Sequence, residues 1–229
     1  MSSAISGHDM STPGTGPRSA PVARVSRSAL TANARAARAR GIHSFSPSIF
    51  DADAWGHDAE LVRGVLEAEG FRPDDQVGGA TPASVLGGEE LLGVAPGTTP
   101  ALRLTGTVLS VKDLRAGEGV SYGFTFRAPA DTRVALVTGG YAQGIVRSLG
   151  GAVDVAIAGE RHPIVGRVAM DVCVVEIRDA VVRRGAEALF LGDASAGEPS
   201  LADWVRATGL LPSELITTVG LRTIREEAP

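Results

Sequence analysis

The spacing of apolar and polar positions changes along the chain. The first twenty residues are mostly Ser, Gly, Pro and Thr with few apolar groups. They cannot bury enough surface to offset the entropy of ordering, so 1–20 reads as a disordered tail. Val22–Val25 is a short apolar run that suits a strand. Ser26 or Ser28 then caps a helix carrying Leu30, Ala32, Ala36 and Ala37, and Gly41 stops it. Ser46–Phe50 suits a second strand. From Asp58 onward Leu61, Val62, Val65 and Leu66 fall on one helical face that ends at Gly70. Strand alternating with helix over 21–70 predicts a parallel α/β unit. Residues 71–100 hold six glycines and four prolines, which predicts a connector with one short element near Glu89–Leu92.

From Leu102 the pattern becomes β-like. Short runs recur at Leu102–Val111, Val120–Phe126, Val134–Val137, Val153–Ile157, Ile164–Val168, Cys173–Ile177 and Leu189–Leu191, separated by Gly, Pro and Asp. Such spacing predicts a mostly antiparallel sandwich or small barrel. Ser200–Thr208 reads as a capped helix and Ile216–Ile224 as a closing strand.

Composition removes several function classes. The net charge is -4, with 26 acidic against 22 basic residues, so a broad basic face for nucleic acid is not expected. No charge-free run is longer than that of Val134–Val146, which falls short of the about 20 residues a membrane helix needs. No basic start followed by an apolar core marks a secretory signal. Cys173 is the only cysteine, and the four histidines are too scattered for a zinc site. These features predict a cytoplasmic protein. Among the basic residues only Lys112 is a lysine. Chemistry that needs a Schiff base therefore has one candidate, because arginine does not give up its proton.

Three segments carry a resemblance: "EGVSYGFTFRAPADTRVALV", "GGYAQGIVRSLG" and "HPIVGRVAMDVCVVEI". Through them, residues 102–176 resemble the C-terminal β-domain of bacterial alanine racemase, the pyridoxal-phosphate (PLP) enzyme that interconverts L- and D-alanine. "SELITTVGLRTIR" resembles the family's end. "VARVSRSALTANARAARAR" and "DADAWGHDAELV" resemble its opening strand and helix and its PLP-lysine segment. The resemblance implies an α+β chain: 21–70 a βαβα remnant of a (β/α)8 barrel, 71–100 a connector, and 101–229 the antiparallel β-domain. A whole barrel takes roughly 250 residues, so most of it is expected to be missing.

The resemblance also places functional residues. Tyr122 matches the catalytic tyrosine, which acts in the family on the face opposite the lysine and from the other subunit. Met170 and Asp171 match the substrate-side loop, and Tyr141, Arg147 and Arg167 the access corridor. Arg133, Arg147 and Arg167 are in the right domain to supply the positive charge a phenol needs to act as a base. Gln143 replaces an acidic corridor residue. His57 keeps the family pattern, and Ser213 falls where a tyrosine near the phosphate is expected. Asp51, however, stands at the lysine position and Trp55 at a phosphate-contacting tyrosine. A carboxylate cannot form the aldimine, and Lys112 reads as a solvated strand residue. The chain is expected to be an isomerase relative that does not bind PLP and is inactive alone, as a homodimer or a heterodimer with a full-length racemase. A non-enzymatic β-domain module and a degenerate gene product remain as alternatives.

Overall fold

A computed structural model describes residues 18–74 and 84–229. Residues 1–17 of the expected tail and residues 75–83 of the connector lie outside the described residues.

Strand β1 (Val22–Ser26) runs directly into helix α1 (Arg27–Ala39). Ser26 is the N-cap, its Oγ accepting the Ala29 N–H at 3.1 Å. β2 is only Ser44–Phe45, and the strand expected at Ser46–Phe50 is a 3₁₀ turn, Pro47–Phe50. Pro47 explains the difference: it has no N–H for a ladder and its fixed φ suits a first helical position. The next coil, α2 (Asp51–Gly56), winds left-handed: φ lies between 49° and 58° for Ala52, Asp53, Ala54 and Trp55. This geometry costs L-residues roughly 1–2 kcal/mol each, so neighbours must hold it. Asp58 then caps α3 (Ala59–Ala68), its carboxylate accepting from the N–H of Glu60 at 3.0 Å and of Leu61 at 3.1 Å.

β3 (Arg72–Pro73) and β4 (Val85–Leu86) flank β2 on either side, both parallel to it. α4 (Gly88–Leu91) is the short element anticipated near Glu89. Leu30 and Ala34 of α1 and Leu61, Val62, Val65 and Leu66 of α3 pack with Phe45, Ile49, Leu86 and Leu91 in one core. Buried Asn33 ties that core to the chain beyond it. Its Nδ2 donates to the carbonyls of Leu91 at 3.0 Å and Thr99 at 2.9 Å, and its Oδ1 accepts the Thr99 N–H at 2.9 Å.

The β-rich part follows as β5 (Leu102–Leu114), β6 (Gly119–Val120), β7 (Phe126–Arg127), β8 (Thr132–Thr138), β9 (Asp154–Ile157), β10 (Glu160–Val165), β11 (Val172–Glu176) and β12 (Glu187–Leu191). The run expected at Val120–Phe126 is split by a turn at Tyr122–Phe124, where Ser121, Gly123 and Phe124 have positive φ. In the main sheet the order is β12-β9-β10-β11-β8-β5, and β12 pairs again with β5. All of these pairings are antiparallel, and they close a barrel around Leu104, Val137, Val155, Ile164, Val175 and Phe190. The antiparallel architecture read from the pattern is present.

Helix α5 (Leu201–Thr208) has Ser200 as its cap, as anticipated. The closing strand expected at Ile216–Ile224 is a helix instead, α6 (Pro212–Arg222), and the strand is the later β13 (Ile224–Ala228). The β-branched run Ile216–Val219 reads as strand by propensity. Pro212 at the first turn, and the Glu214 carboxylate accepting the Leu211 N–H at 2.7 Å, start the helix. Leu215, Ile216 and Val219 then bury one face. β13 returns to pair parallel with β1, and β1 pairs antiparallel with β5. One sheet thus crosses the boundary at residue 101.

Asn33→Ala removes three bonds to buried or half-buried backbone groups. It should cost about 2 kcal/mol or more, measured by urea denaturation of the whole chain. A loss below about 0.5 kcal/mol would show that water replaces the amide without penalty.

Candidate functional site

Two loops are sewn together at one end of the barrel. After β8 the chain turns through Gly139–Gly144, and between β10 and β11 it turns through Gly166–Asp171. The Gly139 N–H donates to the Asp171 carbonyl at 2.8 Å, Tyr141 to Ala169 at 2.9 Å and Ala142 to Met170 at 2.9 Å. A Cβ at position 140 would overlap the Met170 carbonyl, so only glycine allows this approach. Gln143 completes the stitching. Its Oε1 accepts the Gly140 N–H at 3.0 Å, and its Nε2 donates to the Asp171 carboxylate at 2.9 Å. An acidic residue at 143 could accept but not donate, and would face Asp171 with like charge.

The predicted residues Tyr141, Met170 and Asp171 are therefore neighbours. Tyr141 and Met170 are 41% and 55% exposed. The Arg147 guanidinium lies 5.6 Å from the centre of the Tyr141 ring, a cation–π geometry. Tyr122 opens the turn between β6 and β7. That turn is stapled to the second loop: the Ser121 Oγ accepts the Arg167 N–H at 3.2 Å and shares a hydrogen bond with Thr125 Oγ1 at 3.1 Å. Arg167 itself is exposed. Arg133 is not part of the cluster. Its Nε donates to the Arg178 carbonyl at 3.0 Å and its Nη2 to the Ala180 carbonyl at 2.9 Å, so it fastens a loop.

The other named residues lie elsewhere. Asp51 is exposed at the start of α2. The Trp55 indole donates to the Ser48 carbonyl at 3.4 Å and packs on Gly88. Lys112 is exposed on β5, opposite Val134. Ser213 sits in the first turn of α6. His57 is fully buried. Its Nδ1–H points at the carbonyls of Ala54 at 3.1 Å and Trp55 at 3.2 Å, while its Nε2 has no partner. Burial, with Arg225 adding to it, lowers its pKa to about 4, so the ring is neutral at pH 7. Cys173 is buried in β11, and desolvation pushes its thiol up to about 12, which makes it an inert core residue.

Helix α6 lies between the coil and the sewn loops. Gly56 and Gly220 meet backbone to backbone; a Cβ on Gly56 would stand 2.6 Å from the Gly220 Cα. On the other side, a Cβ on Gly144 would stand 2.9 Å from the Val219 nitrogen. Asp53 holds the coil from two directions, accepting the Ala59 N–H at 2.8 Å and pairing with Arg225 at 2.5 Å. The Ala59 N–H, with help from Arg225, keeps the Asp53 carboxyl below its ordinary range. Sequence reasoning missed this pair, whose members are 172 residues apart with no shared local pattern. It also missed Gln143 as the link between the loops, although its departure from an acidic residue was visible. A cleft of about 550 Å³ between Leu92–Leu102 and Leu191–Ala202 contains none of the predicted residues. Among the described residues there is no metal-ligating cluster, and no helix is long and apolar enough to cross a membrane.

Gln143→Glu sets two carboxylates against each other. In the folded variant the two carboxylates repel each other, so it should be destabilised at pH 7 by about 0.5–1.5 kcal/mol and recover as pH falls and the pair takes up a proton. Thermal melts of both proteins from pH 7 to 4.5 measure this. Superimposable curves would show that the Gln143–Asp171 bond carries no weight.

Residues 101–227 match the family model described as alanine racemase, C-terminal domain. Alanine racemases of Mycobacterium ulcerans and Mycobacterium tuberculosis are 41% and 40% identical over 162 residues, covering 70% of this chain and 40% of each relative. The chain thus spans about 40% of the length of these curated relatives. The crystal structure of alanine racemase from D-cycloserine-producing Streptomyces lavendulae superposes with a TM-score of 0.63 at 30% identity, over 89% of this chain and 61% of that one. Alanine racemase from Bacillus anthracis gives a TM-score of 0.77 at 16% identity, covering 90% and 94%, a likeness of fold alone. Matched to the family model over more than half its length, the chain belongs to the alanine racemase family.

Proposed function

We propose that this chain is an alanine racemase relative that is inactive alone, and that it lends its β-domain to a complete racemase. Racemisation at Cα needs an electron sink and a proton-transfer group on each face of the substrate. PLP supplies the sink in the family. The residues here do not fit that group. The position aligned with the family's lysine is Asp51, an exposed carboxylate, and the one lysine, Lys112, lies exposed on a barrel strand. An aldimine lysine needs a desolvated or charge-tuned pocket. Trp55, aligned with a phosphate contact, packs on Gly88 instead. The observation that carries this reading is the exposed carboxylate of Asp51, which the resemblance aligns with the family's lysine.

The second half of the proposal rests on the sewn loops. They hold Tyr141, Met170 and Asp171 in one rigid group, with the Tyr122 turn stapled to the Arg167 backbone. Phe124, Tyr141 and Met170 are exposed there, a face suited to another subunit. In a mixed dimer the partner brings cofactor, lysine and barrel, and this chain brings Tyr122 to the opposite face. A phenol ordinarily titrates near 10, so it needs cations to work as a base, a role we assign to Arg147, which lies over Tyr141, and to Arg167 of the second loop. We place the protein in the cytoplasm, on the reading of a lone buried cysteine.

The test is complementation. A full-length racemase whose own catalytic tyrosine is replaced by Phe is mixed with this chain. Alanine racemisation should return, and should not return with Tyr122→Phe, because losing an acid–base group costs about 10²–10⁴-fold. No mixed dimer by light scattering, or no activity from one that forms, would refute the lending role.

A further inference from the structure

The coil Asp51–Gly56 keeps a costly shape although the position aligned with the cofactor lysine is a carboxylate. Four consecutive non-glycine residues hold left-handed φ angles. Three features of this chain keep them there. Asp53 is tied to the Ala59 N–H and to Arg225 of β13. His57 closes the coil through its Nδ1–H on the Ala54 and Trp55 carbonyls. Gly56 lies against Gly220 of α6, and no side chain fits on either glycine. The opposite side of the same helix seats the loop of the candidate site, with Gly144 against Thr218 and Val219. Coil, helix and loop thus form one continuous stack of close backbone contacts.

We propose that Asp53, Gly56 and His57 are positioning residues: the coil sets α6, α6 sets the loop Tyr141–Gly144, and a proton on His57 releases all three. This rests on the reading that the loop serves a site completed by another subunit, and it explains what the coil does without its lysine. The His57 Nε2 has no acceptor and no water-accessible surface. A proton there places an unsatisfied N–H and a charge in the interior, so the coil must open to accept it. The charged group that acts on the ring is Arg225 of β13, while the carboxylates of the same turn are engaged elsewhere, Asp53 with Ala59 and Arg225 and Asp58 with the N–H groups of Glu60 and Leu61. Arg225 adds to burial in resisting the proton. The sign follows. A ring whose folded pKa lies below its ordinary 6.5, at about 4, stabilises the closed stack above pH 6.5. That contribution is lost as pH falls from 6.5 to about 4, and opening rises by up to tenfold per pH unit in that window.

The experiment is hydrogen exchange of the whole chain between pH 7 and 4, expressed as protection factors. The amides of Tyr141, Ala142, Gln143 and Gly144 all donate to carbonyls in the closed loop. They should lose protection as pH falls below about 6, while Val134–Val137 and Val172–Val175 in the barrel keep theirs. His57→Gln, which cannot take up a proton, should flatten the loop's pH dependence. If that variant does not fold, Arg225→Gln gives the second reading: removing the cation should move the loss of protection to higher pH. Loop and barrel losing protection together, or an unmoved profile in the folded variants, would overturn the proposal. No partner racemase enters the measurement, so its outcome is independent of the complementation result.

Discussion

At Gly106 the long strand β5 passes between partners. Before it, Leu102–Thr105 hydrogen-bonds to β1 on one side and, through Leu104–Thr107, to β12 on the other. Beyond it, Val108–Leu114 pairs with β8 across an irregularity between Val108 and Ser110. A side chain at 106 would overlap the Thr138 carbonyl and press on Phe190 and Val137. The bare backbone lets β8 and β12 both close on β5, and the Thr107 N–H then bonds the Thr138 Oγ1 at 2.8 Å. Barrel closure, the docking of β1, and the position of the β8 end from which the candidate loop springs all depend on this approach.

The same arrangement ties the beginning and end of the chain together. β1 lies between β5 and β13, and the Arg225–Asp53 pair carries the tie from β13 to the left-handed coil. Arg24, on β1, adds an ion pair to Glu187 of β12 at 2.8 Å. Exposed pairs of this kind contribute little. The buried contributions matter more: the Asn33 amide bridging α1 to Leu91 and Thr99, and the packed faces of α1 and α3.

Much of this was legible in the sequence because it is local. The Ser26, Asp58 and Ser200 caps, the amphipathic faces of α1 and α3, and the short apolar runs in β8 and β11 are short-range signals, and they fall where the pattern put them. Pro47 and Pro212 turned two apparent strands into helical turns because proline's geometry outweighed β-branched propensity. The left-handed coil was not legible, since three of its four non-glycine residues with positive φ, Ala52, Ala54 and Trp55, are types that avoid that region. The loops carrying Tyr141, Met170 and Asp171 were found through motif resemblance. What joins them, Gln143 and the glycine approach at Gly140, emerges only when β8 and β11 lie side by side.

The proposed function divides the labour: the loops of Tyr141 and Met170 serve a racemase site, and another subunit anchors the cofactor. The most direct test of that division is to incubate the purified chain with PLP, remove the excess, reduce with borohydride and map the labelled peptides. The account predicts only scattered, substoichiometric labelling and no stable visible absorbance band. One stoichiometric adduct on Lys112 would contradict it.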